Sequence, residues 1–377
     1  MNVLFIGPYR ELGEWGRKSR ALLHAVKSCV PNTTSRPLYM FGQSGALAHA
    51  EDAEFAVFDH YDAIIQFALP SISVYNKACG RNIGVFNNEM LGIEPDSLMR
   101  MNLLDEVWVD SQDIAKSIYK KLPDVEVKVL GAYLDPALWM LTEIGEDISV
   151  LRNNNNPTVG DRFLFYMIGS LDEKEGIREA LSAYFSTFSY ADHAIFALVL
   201  TEPTDPDSVN NLITSCKGSL GAVRSGEQDA NITVFNPHPQ EGPLNLKMRK
   251  CVHKDADCLV SPSYSLNINT TALEAACFGN TPILNKGTAT YEALGGENCW
   301  AVDSYEEISL LHQRPFEDMF TCQQVCRKPI VKSLCETMRE AYENKFSRDK
   351  KRKANSKVKD RLESQENYSS LEDLLCL

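Results

Sequence analysis

Residues 261–282 read SPSYSLNINTTALEAACFGNTP, and this stretch decides the fold of the chain. An apolar run at 258–260 precedes it, polar residues open it, small and apolar residues continue to Phe278, and a second apolar run begins at Pro282. The pattern predicts strand, loop, helix and strand, with Gly279 in the position that ends the helix. In parallel α/β units the helix N-terminus points to the crevice at the strand ends, where free N–H groups favour an anion.

Three polar residues of the predicted helix point to a nucleotide ligand. Thr270 and Thr271 lie in its first turn, and Glu274 lies on the next turn. A diphosphate would bind the N–H groups of the first turn, and the carboxylate would accept hydrogen bonds from ribose hydroxyls. The alternative is an ordinary strand–helix unit with an exposed glutamate.

Composition narrows the class of protein. The 377 residues are too many for one small core and predict two domains, and 44% hydrophobic with 24% charged residues is typical of a globular chain. No apolar run is long enough to span a bilayer, and Gly7-Pro8 ends the first apolar run as a short strand rather than a leader. Eleven dispersed cysteines without a C-x-x-C pair predict reduced thiols and a cytoplasmic location. A net charge of −13 argues against nucleic acid bound by bulk electrostatics.

Apolar runs of strand length alternate with helix-like segments along almost the whole chain, which predicts a parallel α/β architecture. The predicted strands of the first half lie at residues 2–7, 38–41, 63–68, 82–87, 106–110 and 126–130. Those of the second half lie at residues 163–168, 194–200, 232–235, 258–260, 282–284 and 299–302. The polar stretch 153–157 between the two halves is the predicted hinge.

The predicted helix carries a family resemblance. Residues 274–279, EAACFG, are similar to the second half of the donor-nucleotide signature of the GT-B, group-1 (GT4-like) glycosyltransferases. The first glutamate of that signature falls on Leu266, and its glycines fall on Ile268 and Asn269. The resemblance implies that Glu274 holds the ribose of the donor and that the preceding Thr270-Thr271 pair holds its diphosphate.

The first half of the chain resembles the same family at three places. Residues 86–89, 106–111 and 130–135 follow one another in the order and spacing of the family's first domain. Glu89 ends the fourth predicted strand, and the resemblance implies that it contacts the transferred sugar; a solvated glutamate at a strand end is the alternative. Gly13 and Gly16 lie in the first strand–helix turn, where the family's backbone approaches the donor phosphate and the acceptor. A flexible surface turn is the alternative for these glycines.

Residues 168–177, IGSLDEKEGI, resemble the family element in which an arginine and a lysine neutralise the leaving diphosphate. Ser170 stands in the arginine position, and Lys174 lies one residue away from the usual lysine position. Charge that develops on a departing diphosphate needs positive groups or N–H dipoles. We therefore expect Lys174, Ser170 and the helix start at Thr270 to supply them, with Arg17 or Lys18 reaching across the cleft.

The resemblance covers about residues 1–345 and implies an α/β fold of two Rossmann-like domains that face a cleft (GT-B). The expected organisation is an acceptor-side domain at 1–152, a linker at 153–161, a nucleotide-sugar-binding domain at 162–329, a helix crossing back to the first domain at 330–346, and a charged tail at 347–377.

The implied activity is a retaining glycosyltransferase that moves a sugar from a nucleotide-sugar donor, most often a UDP-sugar in this family, to an acceptor hydroxyl. No cofactor, essential metal or membrane span is expected. The missing glutamate, arginine and glycines favour one alternative, a non-catalytic glycosyltransferase-like binding or scaffold protein. The second alternative is a viral-type DNA-modifying glycosyltransferase, which the acidity of the chain disfavours.

Overall fold

The computed structural model describes residues 1–40, 54, 56–140, 162–218, 230–238, 244–309 and 324–376. The predicted linker at 153–161 lies outside these residues. None of the helices in these ranges is long and apolar enough to cross a membrane.

A six-stranded parallel sheet forms the first domain. Its strands are β1 (Val3–Gly7), β2 (Thr33–Pro37), β3 (Ala63–Phe67), β4 (Arg81–Val85), β5 (Glu106–Val109) and β6 (Glu126–Val129), in the spatial order β2-β1-β3-β4-β5-β6. Its helices are α1 (Glu14–Cys29), α2 (Pro95–Met101), α3 (Gln112–Lys121) and α4 (Pro136–Met140), with a 3₁₀ turn at Pro70–Ile72. Every side chain of the central strand β3 is buried, as expected for a sheet covered on both faces.

Strand β2 corrects one of the sequence-based predictions. The strand was expected at the apolar residues 38–41, but the described chain pairs Thr33–Pro37 with β1, in the register Val3 to Thr33. This strand lies at the edge of the sheet and reads TTSRP. Its threonines suit a pleated strand without forming an apolar run, so the hydrophobic pattern misses it.

The second domain is another six-stranded parallel sheet. Its strands are β7 (Phe163–Gly169), β8 (Ala194–Leu200), β9 (Asn231–Phe235), β10 (Cys258–Ser261), β11 (Ile283–Asn285) and β12 (Trp300–Val302), in the order β12-β11-β10-β7-β8-β9. Its helices are α5 (Ile177–Thr187), α6 (Pro206–Gly218), α7 (Leu246–Asp255), α8 (Thr270–Cys277) and α9 (Ala289–Leu294). The order is that of dinucleotide-binding sheets, and it changes direction between β7 and β10. All six strands predicted for this half are confirmed.

A two-stranded hairpin extends from the second domain to the first. It consists of β13 (Ser304–Ser309) and β14 (Gln324–Pro329), which are antiparallel. The backbones of Leu91 and Val325 exchange two N–H···O bonds of 3.0 Å. The hairpin therefore adds a backbone bridge between the domains.

The C-terminal crossing differs from the prediction. Helix α10 (Val331–Glu343) was expected to pack on the first domain, but Leu334 and Met338 are buried in the core of the second domain, against α5. The predicted tail instead forms helices α11 (Lys345–Asn355), α12 (Val358–Leu362) and α13 (Gln365–Leu375). Leu371 and Leu375 of α13 are buried in the first-domain core beside α1. The crossing is therefore made by α13, because its i, i+4 leucines supply the apolar face.

Candidate active site in the interdomain cleft

The carboxyl ends of the two sheets meet at the start of α8. Asn267 donates from Nδ2 to Oδ1 of Asn87 at 2.6 Å, and the N–H of Ile268 donates to Oδ2 of Asp110 at 3.1 Å. The N–H of Leu266 donates to the carbonyl oxygen of Glu89 at 2.8 Å. The loop between β10 and α8 is thus the main polar contact of the second domain with the ends of β4 and β5, and it places α8 at the cleft.

Glu89 and Lys174 meet across the cleft. The Lys174 ammonium lies 2.9 Å from the nearer oxygen of the Glu89 carboxylate. Burial raises the pKa of Glu89, and the charge of Lys174 opposes that shift. Burial alone would lower the pKa of Lys174, but Glu89, Asp172 and Glu175 together raise it above its usual range. The sequence-based prediction placed both residues at the active site, and the structure brings them into direct contact.

A polar pocket lies beside this ion pair. Its lining consists of carboxylate, hydroxyl and amide side chains with one leucine: Glu14, Glu89, Glu175, Ser261, Ser263, Ser265, Asn267, Asn269, Leu284, Asn285, Thr288 and Thr290. Burial, followed by the charge of Glu14, raises the pKa of Glu175 to about 8. The raised pKa favours the protonated form of Glu175, which can donate a hydrogen bond in the pocket.

The first turn of α8 is capped and buried. Asn269 is the N-cap, and its Oδ1 accepts from the N–H of Ala272 at 3.2 Å. The hydroxyl of Thr271 is in contact with the guanidinium of Arg249. Thr270 is 5% exposed, and its hydroxyl oxygen has no hydrogen-bond partner among the described residues. The first N–H groups of a helix have no acceptor within the helix, so they add free donors at this point.

Glu274 lies in a buried cluster of ions that joins both domains. Its Oε1 accepts from Nη1 of Arg17 at 3.0 Å, and its Oε2 accepts from Nε of Arg249 at 2.7 Å. Burial would raise the pKa of Glu274, but Arg249 and Arg17 hold it well below its usual range. Sequence reasoning expected this carboxylate to face the open cleft; it is 3% exposed and ionised between two arginines.

A histidine completes the cluster around Glu274. His253 Nε2 lies 3.3 Å from Oε2 of Glu274, and its Nδ1 lies 2.8 Å from the hydroxyl of Tyr166. His253 is fully buried, and burial lowers its pKa. We therefore assign a neutral ring that donates from Nε2 to Glu274 and accepts from Tyr166. Asn280 donates to the same tyrosine oxygen at 3.0 Å.

The remaining predicted site residues are Gly13 and Gly16, at the start of α1, and Ser170, directly after β7. Gly13 is the N-cap of α1 and has open space where a Cβ would stand. A Cβ on Gly16 would lie 1.9 Å from the carbonyl oxygen of Glu11, so only glycine fits there. The close approach is between Gly16 and the backbone of Glu11 in the same turn, not between Gly16 and the cleft. Ser170 directly follows β7 and is partly exposed.

Sequence reasoning missed Arg249 and His253. They lie four residues apart on α7, which puts both side chains on one face of the helix toward Glu274. The i, i+4 spacing of two basic residues in an otherwise amphipathic helix was the available signal. Lys18, which was expected to reach across the cleft, stays within the first domain: its Nζ donates to Oδ1 of Asn87 at 2.6 Å. Arg17 does cross the cleft, since its Nη1 donates to Oε1 of Glu274 in the second domain.

Comparison with known proteins establishes the fold. No protein-family model matches the chain, and no curated protein matches its sequence. A trehalose-6-phosphate synthase structure aligns with a TM-score of 0.64 at 9% identity, over 100% of this chain and 99% of its own. A sucrose-phosphate synthase from Thermosynechococcus elongatus aligns with a TM-score of 0.61 at 12% identity, over 100% and 98%.

A third similar structure contains a nucleotide sugar. It is from E. coli, is named for trehalose-6-phosphate and has UDP-2-fluoro glucose bound; it aligns with a TM-score of 0.62 at 11% identity, over 100% of this chain and 98% of its own. The likeness at these identities concerns the fold. The chain has the GT-B fold of two Rossmann-like domains facing a cleft, as the family resemblance predicted.

Proposed function

We propose that this protein is a retaining glycosyltransferase that moves a sugar from a nucleotide-sugar donor to an acceptor hydroxyl. The observation that carries the proposal is the juxtaposition in the cleft of the α8 start with the pair formed by Glu89 and Lys174. A helix start binds a diphosphate, and a fixed carboxylate beside it can stabilise positive charge on a sugar ring. The whole-length likeness to sugar-transferring enzymes supports the same reading.

In this proposal the donor lies over the second domain. Its diphosphate binds the first turn of α8, at Thr270 and Thr271, with Ser170 at the end of β7 nearby. Gly13, which has open space where a Cβ would stand, and Gly16 are proposed to lie beside the donor phosphate in the first turn of the other domain. The donor nucleotide is proposed to be UDP, in line with the UDP-sugar bound to a protein of the same fold.

The transferred sugar is proposed to occupy the polar pocket beside Glu89. Its hydroxyls find acceptors and donors there in the serine, asparagine and threonine side chains of the second domain. Transfer builds positive charge on the sugar ring and negative charge on the leaving diphosphate. Glu89 is placed to face the first of these charges. Lys174 pairs with Glu89 at 2.9 Å, so it orients the carboxylate and opposes the rise of its pKa.

Turnover of nucleotide sugars tests the proposal. A panel of UDP-, GDP- and ADP-sugars is incubated with the protein, and release of nucleoside diphosphate is measured with and without sugar acceptors. We expect turnover of one donor class, and Glu89→Gln should lower kcat by about 10²-fold or more, because one preorganised group is typically worth that much. Glu126→Gln, an exposed glutamate on β6, is the matched control and should behave like the wild type.

The effects of replacing Lys174 on turnover and on donor affinity distinguish a catalytic role of this residue from a binding role. Lys174→Ala should lower turnover more than donor affinity, because the residue acts on charge that appears in the transition state. It should also move the acid limb of the kcat profile to higher pH, since Lys174 holds down the pKa of Glu89. Wild-type turnover in this variant would remove Lys174 from the mechanism.

The alternatives are distinct outcomes of the same assays. Nucleotide binding without turnover of any donor would identify a non-catalytic binding protein. The substitution of arginine by Ser170 and the pairing of Lys174 with Glu89 are the features that favour this second candidate. Salt-sensitive DNA binding with sugar transfer to DNA would identify a DNA-modifying enzyme instead.

A further inference from the structure

The charge around Lys174 does not suit a diphosphate. Its ammonium lies 2.9 Å from the Glu89 carboxylate and 4.0 Å from that of Asp172. One positive charge therefore faces two negative ones at this end of the cleft. Since an anion of two or more charges is repelled by an excess of carboxylate, Lys174 alone does not provide a diphosphate site.

At the start of α8, positive side-chain charges outnumber negative ones. Arg17 and Arg249 both contact Glu274, and His253 is neutral, so two positive charges face one negative charge. The partial positive charge of the helix start adds to this excess. The side chains in direct contact therefore leave an excess of positive charge here and an excess of negative charge at Lys174.

Two side chains at this place have polar atoms without a hydrogen-bond partner among the described residues. Arg17 is 6% exposed and uses Nη1 for Glu274, while its Nε and Nη2 donate no hydrogen bond to any described residue. The hydroxyl oxygen of Thr270, 5% exposed, is likewise without a partner in the described chain. Buried polar groups normally have partners, so the Thr270 hydroxyl beside two arginines marks a place where a bound anion would supply the missing acceptor.

We propose that Arg17 of the first domain supplies the guanidinium that binds the diphosphate of the donor, with Arg249 and Thr270, in place of the arginine that the family resemblance expects at residue 170. The ligand class is a diphosphate, whose oxygens match the fork of an arginine side chain. This inference rests on the proposed function for the identity of the natural ligand, a nucleoside diphosphate sugar, but the anion site itself does not depend on a sugar or a base.

The proposal ties anion binding to domain closure. Arg17 lies on α1 of the first domain, whereas Thr270 and Arg249 belong to the second. The site is therefore complete only when the domains are as close as in this structure, and Glu274 holds Arg17 in place while the site is empty. A diphosphate that binds both arginines favours the closed arrangement, because it interacts with both domains at once.

Calorimetric titration with inorganic pyrophosphate tests the site without any nucleotide. We expect the full-length protein to bind pyrophosphate more tightly than inorganic phosphate at low salt. Arg17→Gln should weaken pyrophosphate binding by about tenfold or more, and Thr270→Val by about threefold or more, since these remove a charged and a neutral donor respectively. Arg17→Lys should lie between Arg17→Gln and the wild type.

Two further variants serve as controls. Arg339→Gln removes an arginine that pairs with Asp192, away from the cleft, and should not change pyrophosphate binding. Lys174→Ala should weaken pyrophosphate binding less than Arg17→Gln does, because acidic residues already neutralise Lys174.

The inference is overturned if the wild type does not bind pyrophosphate, if Arg17→Gln binds as tightly as the wild type, or if Lys174→Ala has the larger effect. Should Arg17→Gln fail to fold, the Arg17→Lys and Thr270→Val variants decide in the same way. Pyrophosphate binding that depends on Arg17, together with no turnover of any nucleotide sugar, would retain the anion site and reject the proposed function.

Discussion

At the scale of single residues, Glu274 differs most from its expected surroundings. Its carboxylate is ionised in the interior because Arg17 and Arg249 contact it and His253 donates to it. A ribose hydroxyl can hydrogen-bond to a carboxylate oxygen of Glu274 only after one of the arginines stops donating to that oxygen. In the proposed loaded state Arg17 turns toward the diphosphate and leaves Oε1 to the ribose hydroxyls.

The first prediction concerns the stability of this cluster. Glu274→Gln removes the negative charge that contacts two buried arginines, so we expect the free energy of unfolding to fall by about 3–5 kcal/mol. Urea denaturation of the variant, with Glu126→Gln as the control, measures the loss. Equal midpoints for Glu274→Gln and the wild type would show that the arginines find other partners.

The second prediction concerns pH and Glu175. The pKa of its carboxyl rises from 4.5 to about 8 in the folded protein. Between these values the folded state keeps a proton that the unfolded state has lost, so this contribution to stability is complete below pH 4.5 and is lost as the pH rises through about 8. Glu175→Gln cannot titrate.

The measurement is the urea midpoint from pH 5 to pH 9 in both proteins, a range that spans the folded-state pKa of about 8. The wild type should lose more stability than Glu175→Gln as the pH rises over this range. Parallel curves for the two proteins would mean that Glu175 is already ionised at neutral pH.

At the scale of elements, the helices after residue 330 define how the chain ends. Helix α10 belongs to the second domain and α13 to the first, because each carries apolar residues at helical spacing that fit a different core. Arg81 fixes the end of α13, since its guanidinium donates to the carbonyl oxygens of Leu374 at 2.9 Å and Leu375 at 3.1 Å. The element predicted as a solvated tail is therefore part of a core.

The third prediction follows from this placement. Leu371 is fully buried between α13 and the first domain, so Leu371→Ala should lower the free energy of unfolding by about 2–5 kcal/mol. Val331→Ala on α10 is the control, because Val331 is 37% exposed and such surface changes stay within about 0.5 kcal/mol. Thermal or urea denaturation compares the two. A loss for Leu371→Ala no larger than the control's would place α13 outside the core.

At the scale of the whole molecule, the two domains are joined by polar contacts of several kinds. Ion pairs cross the cleft from Arg17 to Glu274 and from Lys174 to Glu89, and the hairpin adds the backbone bridge at Val325. These contacts hold the closed arrangement in which the cleft residues meet. Charged contacts of this kind can be exchanged for contacts with a charged ligand.

The fourth prediction tests the closure. The double variant Arg17→Gln/Lys174→Ala removes two of the ion pairs that join the domains, so the ligand-free protein should open and its radius of gyration in small-angle X-ray scattering should increase. The pair Arg339→Gln/Lys286→Ala, which removes two ion pairs within the second domain, should leave the radius unchanged. An unchanged radius in the first double variant would assign closure to the hairpin and the loop contacts at Asn267.

Local patterns determined much of this protein. The alternation of strands and helices and the strand–loop–helix unit around α8 were predictable, because apolar periodicity and turn residues act over a few neighbouring residues. The placing of Glu89 and Lys174 at one cleft came from the family resemblance. The resemblance to one family then arranged these units into two facing domains. The hydrophobic pattern did not predict the polar edge strand β2, because its threonines form no apolar run.

Only the tertiary structure decided what surrounds the site. The partners of Glu274 come from α1 and α7, and Arg17 lies 257 positions away along the chain. Whether α10 or α13 crosses to the first domain depends on which core has room for its apolar face, and a local pattern states only that such a face exists. Charge balance and burial are sums over side chains that folding brings together, so they set the behaviour of Glu274 and Glu175 in ways that neighbouring residues in the sequence do not encode.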